Sequence, residues 1–448
     1  MPPEKLHWKH LYSEVVTSGL CTGCSGCVIA CPHDVLGYRD DHGIYRPFQL
    51  EEGFEPDNCS HGERGCTSCT RACPRFRSWE PDIDEFLFGR VRAADEPSGI
   101  YKDVVLARAT DPVLAEIGQD GGLVSAILVY ALEHGLIDAA LVSYLEGDGS
   151  TWKAVPGVAR TRDDVMGSAG SRYTYSANPM AYSAAIEGGA ERLGLVGMSC
   201  QSSMPPVMKQ RKAGKVARRF ELNIGLLCSK TFDDAIFDDL FDAKYGLKRA
   251  DIKKVNVKGA FQIWMHNGDF HEIPLKECHP FTREGCKMCP DFAAEHADIS
   301  TGGIGKFNDW TLTIVRTDTG RDLLAKMIDD GWVETRPGDD DPQRPRALPG
   351  AERGDPLRHA RDCLGVGSRP LRVSRDGEPM VPGDLCARPA RVAADERPVP
   401  LPGPRGHRVA AVRGLAVHTS RPRVERAARL RRPGAGALPE PRRGRAQR

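Results

Sequence analysis

CTGCSGCVIACP, from Cys21 to Pro32, and CSHGERGCTSCTRACP, from Cys59 to Pro74, decide how the first part of the chain folds. Each closes in C-x2-C-x3-C-P. That spacing lets three thiolates wrap one cubane while the fourth reaches a second, and the proline turns the chain away. By this logic Cys21, Cys24, Cys27 and Cys73 hold one four-iron cluster, and Cys59, Cys66, Cys69 and Cys31 hold another. A pair of zinc knuckles is the competing reading, but knuckles prefer C-x2-C pairs set apart over two complete runs. Residues 20–75 are dense in Cys, Gly and Pro, with little helical or strand periodicity. A small domain reads this way when metal replaces a hydrophobic core.

Working outward, the 448 residues suffice for two or three domains. The net charge of +1 gives no reason to expect nucleic acid as a partner. That sum hides an acidic segment before Pro342 and an Arg-rich one after it. No apolar run reaches the roughly eighteen residues that a membrane helix needs. The first residues, MPPEKLHWKHLYSEVV, lack the apolar stretch of a signal peptide. A cytoplasmic location is therefore expected, where 15 cysteines point to metal ligation and not to disulfides.

Three domains are expected: 1–98, a ferredoxin-like domain for two clusters with a polar linker over 77–98; 99–342; and a tail, 343–448. The middle segment alternates short apolar strands and helices, which is α/β organisation. DVVLARA (103–109), IDAALVS (137–143), LGLVGM (193–198) and FELNIGLLC (220–228) read as buried strands. GGLVSAILVYALEHG, FDDAIFDDLFDAKYG and the end of LTIVRTDTGRDLLAKMIDDGW carry helical spacing. VKGAFQIWMHNGDFHEIPL reads as a hairpin turning at Asn267-Gly268. The tail holds no Lys, Ile, Asn, Phe, Tyr or Trp and cannot bury enough apolar surface to order itself. It reads as disordered, either as a G/C-rich gene translated out of frame or as a genuine basic tail.

A second set of cysteines lies in the α/β segment: Cys200, Cys228, and the Cys286-x2-Cys289 pair. Cys200 and Cys228 each follow an expected strand, and loops at strand ends converge on one crevice. Two readings stand for these four: ligands of a third cluster, or buried free thiols. Cys278 is a spare or an alternative ligand. Gln119-Asp120-Gly121-Gly122 precedes a helix, where glycine lets the backbone approach an anion, or simply caps the turn. Ser168 to Tyr175 (SAGSRYTY) offers hydroxyls, Arg172 and rings suited to a pyrophosphate and a flat ring, or is a plain surface loop. Thr301-Gly302-Gly303-Ile304-Gly305 either approaches a ligand or turns the chain. No G-x-G-x-x-G follows a strand, which argues against a nicotinamide site. His134, His266, His279 and His296 have no metal-ligand spacing and read as structural.

From about Asp103 to Arg336 the chain resembles the beta subunits of coenzyme F420-reducing hydrogenase and its dehydrogenase relatives. GQDGGLVSAIL, AGSRYTYSANP, GMSCQS, LLCSKTF, PLKECHPFTREGCKMCPDFAAEHADISTGGIG and TIVRTDTGRDLL carry the likeness, in order, over half the chain. The family includes 7-hydroxymethyl chlorophyll a reductase and F420-linked formate dehydrogenase subunits. The resemblance implies FAD and a four-iron cluster in this segment, the latter on Cys200, Cys228, Cys286 and Cys289 and not on Cys278. It implies FAD binding at Gln119, Asp120, Gly121, Gly122, Ser125, Gly170, Ser171, Arg172, Tyr173, Thr174 and Tyr175. The implied activity is an F420-dependent oxidoreductase passing electrons to iron–sulfur clusters and a ferredoxin or another redox subunit, in an oligomer or complex. Two alternatives remain: a ferredoxin-dependent reductase of another organic substrate such as a chlorophyll-type pigment, and a relay subunit without catalysis of its own. The tail departs from the family.

Overall fold

The structure, a computed structural model, describes residues 5–41, 44–303 and 309–338. The tail over 343–448, with Ile304 and Gly305, lies outside the described residues. Among the described residues the strands are β1 Leu36–Asp41, β2 Ile44–Gln49, β3 Asp103–Ala109, β4 Ala139–Leu145, β5 Ala154–Ala159, β6 Leu193–Met198, β7 Phe220–Leu226, β8 Ile252–Lys258, β9 Ala260–Met265, β10 Phe270–Pro274, β11 Ile299–Gly303, β12 Thr311–Val315 and β13 Val333–Pro337.

Eight of them form one mixed sheet in the order β13-β3-β12-β11-β7-β6-β4-β5. Its centre, β11-β7-β6-β4, is parallel, and both flanks are antiparallel. β4 and β6 are almost wholly apolar, as strands covered on both faces tend to be, while β7 and β11 carry Glu221, Asn223, Ser300 and Thr301. One face is covered by the helices Leu123–Glu133 and Asp318–Asp329, which bury Ile127, Val129, Leu323 and Met327 against Val142, Val196 and Ile224. The other face packs Leu141, Leu193 and Leu195 against Met204, Met208, Ala30 and Ala72. The last two belong to the cysteine-rich segment, so that segment forms part of the second layer. Arg211 fixes it there, donating to the carbonyls of Thr70, Cys73, Phe76 and Ser78 at 3.3–3.4 Å. β8, β9 and β10 make a separate antiparallel sheet over the cluster of Phe232, Phe237, Phe241 and Phe261.

The expected strands at 103–109 and 193–198 have the expected bounds, and the hairpin turns at Asn267-Gly268. Three expectations need correction. Residues 20–75 are not without regular structure, because β1 and β2 pair there as a hairpin. Residues 77–98 are not a bare linker, because Glu80–Phe88 is a helix. Its charges hide a stripe of Trp79, Ile83 and Leu87, spaced one turn apart and packed on Val207. The helix expected from Phe232 begins only at Ile236. Phe232 instead donates its backbone N–H to Tyr173 O at 2.9 Å, which draws it onto the Ser168–Tyr175 loop.

Buried charge locks the Glu80–Phe88 helix to the core. Asp84 accepts from Arg92 at 2.6 and 2.8 Å and lies 2.9 Å from His296 Nε2, while Arg92 also pairs with Glu295. Burial alone would raise the Asp84 carboxyl, but its bonds to Arg92 and His296 hold it far below the usual range. A depressed carboxyl stabilises the fold above the ordinary aspartate range, and that stability is lost as pH falls. Asp84→Asn is therefore expected to cost about 3 kcal/mol at neutral pH. The gap from wild type should shrink below about pH 4, as denaturant unfolding at several pH values will read.

Candidate functional site

Twelve of the thirteen described cysteines fall into three sets. In the first, the loop through Cys21, Cys24 and Cys27 winds through left-handed residues at Gly23 and Ser25. A side chain at Gly23 would meet Tyr45 O at 2.4 Å, so only glycine lets the loop close there. Cys73 comes in from the end of the helix Ser68–Ala72. One small cavity is lined by all four sulfur-bearing residues, Cys21, Cys24, Cys27 and Cys73, together with Arg75. Burial pushes the Cys24 and Cys73 thiols up to about 12, and the facing thiols add to this at Cys24. Backbone N–H groups oppose it, including Arg75 N to Cys73 Sγ at 3.4 Å.

The second set gathers Cys66, Cys31 and Cys59 around Cys69, whose thiol burial also raises to about 12. Gly62 N donates to Cys59 Sγ at 3.4 Å. Cys31 and Cys66 are half-exposed, while Cys59 and Cys69 are buried. The structure brings Cys73 beside the first run and Cys31 beside the second.

The third set assembles at the carboxyl end of the parallel strands. Cys200 opens the short helix after β6, and Cys228 follows β7. Cys286 sits on the short helix Glu284–Lys287 ahead of β11, and Cys289 follows that helix. The Cys228 thiol is raised first by burial, then by Cys286, Cys200 and Cys289, which face it. Cys200 in turn feels Cys24 of the first set. Thr231 Oγ1 lies 3.4 Å from Cys286 Sγ, Tyr175 OH 3.8 Å from Cys200 Sγ, and Arg75 Nη2 donates to Cys289 Sγ at 3.0 Å. Cys278 stands apart in the Phe232–Phe261 cluster.

Buried thiols pushed this high stay protonated unless a cation takes the proton's place, and thiolates are what bind iron. Among the described residues no three His, Cys, Asp or Glu side chains close around a single ion. A cage of four irons spaces its thiolates more widely than one ion does. The donor set, four thiols with N–H donors aimed at sulfur, fits such a cage.

Next to the third set opens a cavity of about 500 Å³, within the range of a cofactor site. Gln119, Asp120, Gly122 and Ser125 form one wall, and Ser168 to Thr174 another. Gly121 and Tyr175 do not line it. Gly121 is packed beneath the turn, and Tyr175 is buried under Arg283, whose guanidinium lies 3.6 Å from its ring. Thr301, Gly302 and Gly303 complete the floor, and Cys228 lines the cavity too. Of the four histidines, His279 lines it, while His296 and His134 bond to Asp84 and Tyr130.

The turn at Asp120, Gly121 and Gly122 is left-handed at three successive residues, with φ of 48°, 90° and 69°. It presents the N-terminus of the helix Leu123–Glu133 to the cavity, a natural seat for an anion. Gln119 Oε1, Ser143 Oγ and Thr174 Oγ1 are buried with no hydrogen-bond partner. All three belong to residues lining the cavity, as expected of groups that await a polar ligand. The residues thus fit a flavin dinucleotide: donors and a helix end for phosphates, unspent polar atoms for a ring.

The spacing of the sequence did not reveal Lys258. It sits on β8 and pairs with Asp120 at 2.6 Å, both largely buried. Burial raises the Asp120 carboxyl, and Lys258 pulls it back. Lys258→Ala strands that carboxylate and is expected to cost about 3–5 kcal/mol. The cost should fall at acid pH, where Asp120 is neutral, in thermal unfolding followed at two pH values.

Two stretches match the family described as Coenzyme F420 hydrogenase/dehydrogenase, beta subunit: residues 104–182 match its N-terminal part and residues 190–341 its C-terminal part. Residues 20–76 match the 4Fe-4S dicluster domain. The beta chain of the coenzyme F420 hydrogenase of Methanothermobacter thermautotrophicus is 36% identical over 249 residues, covering 53% of this chain and 85% of that one. One of the subunits of the F420H2 dehydrogenase of Methanosarcina mazei is 26% identical, covering 75% and 89%. A chain of the F420-reducing [NiFe] hydrogenase complex from Methanosarcina barkeri superposes with a TM-score of 0.55 at 29% identity, covering 61% of this chain and 92% of that one.

Proposed function

The chain belongs to the family of coenzyme F420 hydrogenase/dehydrogenase beta subunits, and from that premise we propose that it is an F420-dependent oxidoreductase feeding iron–sulfur clusters. F420 exchanges hydride and clusters exchange single electrons, and a flavin supplies the conversion between the two. Gln119 to Gly122, Ser125 and Gly170 to Thr174 would hold FAD, with Lys258 fixing the turn at Asp120. Cys200, Cys228, Cys286 and Cys289 would hold a third cluster beside the two of the dicluster domain.

One observation carries this reading: Cys228 belongs to the third thiol set and also lines the cavity. An organic cofactor in the cavity therefore touches the residue that would pass its electrons on. From there Cys200 leads to Cys24, and Cys27 faces both Cys73 and Cys69. The second set stands at the end of this series farthest from the cavity, and its half-exposed Cys31 and Cys66 make it the natural exit toward a ferredoxin or another redox protein. The chain's residues have three tasks: to hold the ring against Cys228, to exclude water from the thiols, and to set potentials through N–H donors to sulfur. No helix among the described residues is long and apolar enough to cross a membrane. We place the protein in the cytoplasm, within a redox complex.

A second reading, a relay subunit without turnover of its own, is favoured by relatives that are named as subunits. Anaerobic assay of the reconstituted chain separates the two. With FAD and reduced F420 supplied, FAD-dependent reduction of a viologen dye is the expected result. No turnover in protein shown to hold both flavin and iron would leave the relay reading.

A further inference from the structure

Arg75 follows Cys73-Pro74, so the turn that presents one thiol of the first set also fixes its backbone. Its backbone N–H donates to Cys73 Sγ at 3.4 Å. Its side chain reaches the other way, and Nη2 donates to Cys289 Sγ of the third set at 3.0 Å. The residue is 7% exposed and shares the cavity lined by the first set. Nε and Nη1 are buried with no acceptor. No carboxylate among the described residues forms an ion pair with it. A buried guanidinium without a paired carboxylate is costly unless other anions replace one. Among the described residues Glu80 and Asp291 act on it only through space, and the group its side chain bonds is the Cys289 sulfur.

We infer that Arg75 is the positioning residue between the third-set cluster and the cluster of Cys21, Cys24, Cys27 and Cys73. It bonds one thiolate of each and holds a positive charge between them. Hydrogen bonds and positive charge at cluster sulfurs favour the reduced state and raise the potential. The path from Cys289 sulfur through the Arg75 side chain and backbone to Cys73 sulfur is one residue long. One electron leaves one set and enters the other; Arg75 stays charged, so the exchange balances without a proton. The inference rests on the proposal that Cys200, Cys228, Cys286 and Cys289 hold a cluster.

The test is an EPR-monitored redox titration of the reconstituted full chain as wild type, Arg75→Gln and Arg75→Lys, with iron counted in each. Glutamine keeps a donor but is two atoms shorter, so it removes both the charge and the bond to Cys289 Sγ, while lysine keeps the charge at nearly full reach. The third-set midpoint is expected to move negative by the equivalent of tenfold in the reduction equilibrium, about 59 mV for one electron. Lysine should restore most of the shift, and the cluster of Cys31, Cys59, Cys66 and Cys69 should stay where it was. An unmoved third-set midpoint in iron-replete Arg75→Gln overturns the inference. Should that variant lose iron, Arg75→Lys decides: the exchangeable-proton couplings of the reduced third-set cluster must change, and a wild-type spectrum overturns it. Iron near eight per wild-type chain instead of about twelve would show that the underlying proposal failed, which is a different result.

Discussion

Cys228→Ser is expected to lower the iron of the reconstituted chain from about twelve to about eight per chain. Turnover of reduced F420 with a viologen should fall more than about 100-fold, beyond the 10–100-fold that losing an outer partner costs. Cys228 stands at the junction: three thiols of its set face it on one side, and the cavity opens on the other. Its backbone N–H donates to Phe292 O at 2.9 Å, which holds the residue at this junction. Signals from the two dicluster-domain clusters should survive, because their eight cysteines lie in a separate segment. Cys278→Ser is the control. That thiol sits in an apolar cluster near Pro274 O, so iron and turnover should be unchanged.

Gly122→Ala is expected to destabilise the fold by about 3 kcal/mol or more and to abolish flavin retention. A Cβ at Gly122 would lie 2.0 Å from Leu114 O, a main-chain atom that cannot rotate away, at a φ of 69°. Left-handed strain and steric overlap each cost about 1–3 kcal/mol. The three-residue turn would have to open, moving Asp120 off Lys258 and shifting the helix end that faces the cavity. Gly170→Ala is the contrast. It too has a positive φ, 90°, but nothing stands within 4 Å of a new Cβ. It should cost about 1 kcal/mol and leave flavin bound. Differential scanning calorimetry with flavin quantified in the same samples reads both outcomes.

The dicluster segment was legible because thiolate ligation demands fixed local spacing, and even the exchange of Cys31 and Cys73 follows from it. Of the parallel core, β6 was legible to the residue because LGLVGM has no polar residue to blur its bounds, and β4 and β7 were legible with ends two residues off. β11, ISTGG, read as a loop because its small and polar residues carry no strand pattern. What sequence spacing did not give depends on side chains that reach between distant segments. The Glu80–Phe88 helix looked like a linker because its surface is acidic and its inward face is short, with Trp79, Ile83 and Leu87 beside a buried acid, Asp84. Arg211, which ties the cysteine segment to the core, and Lys258, which closes on Asp120, lie 133 to 141 residues from the groups they bind. No periodicity records such a contact. The candidate flavin loops were found as polar glycine-containing stretches, but Tyr175 turns to the thiols because Arg283 covers its ring.

The most direct test of electron flow from F420 through this chain is a single turnover without an added acceptor. Iron-replete, flavin-loaded protein is mixed anaerobically with one equivalent of reduced F420, frozen at intervals and read by EPR, while the deazaflavin's oxidation is followed optically. The account predicts that F420 is oxidised as reduced-cluster signals rise, with two electrons recovered for each hydride lost. F420 that stays reduced beside fully loaded, oxidised clusters would contradict it.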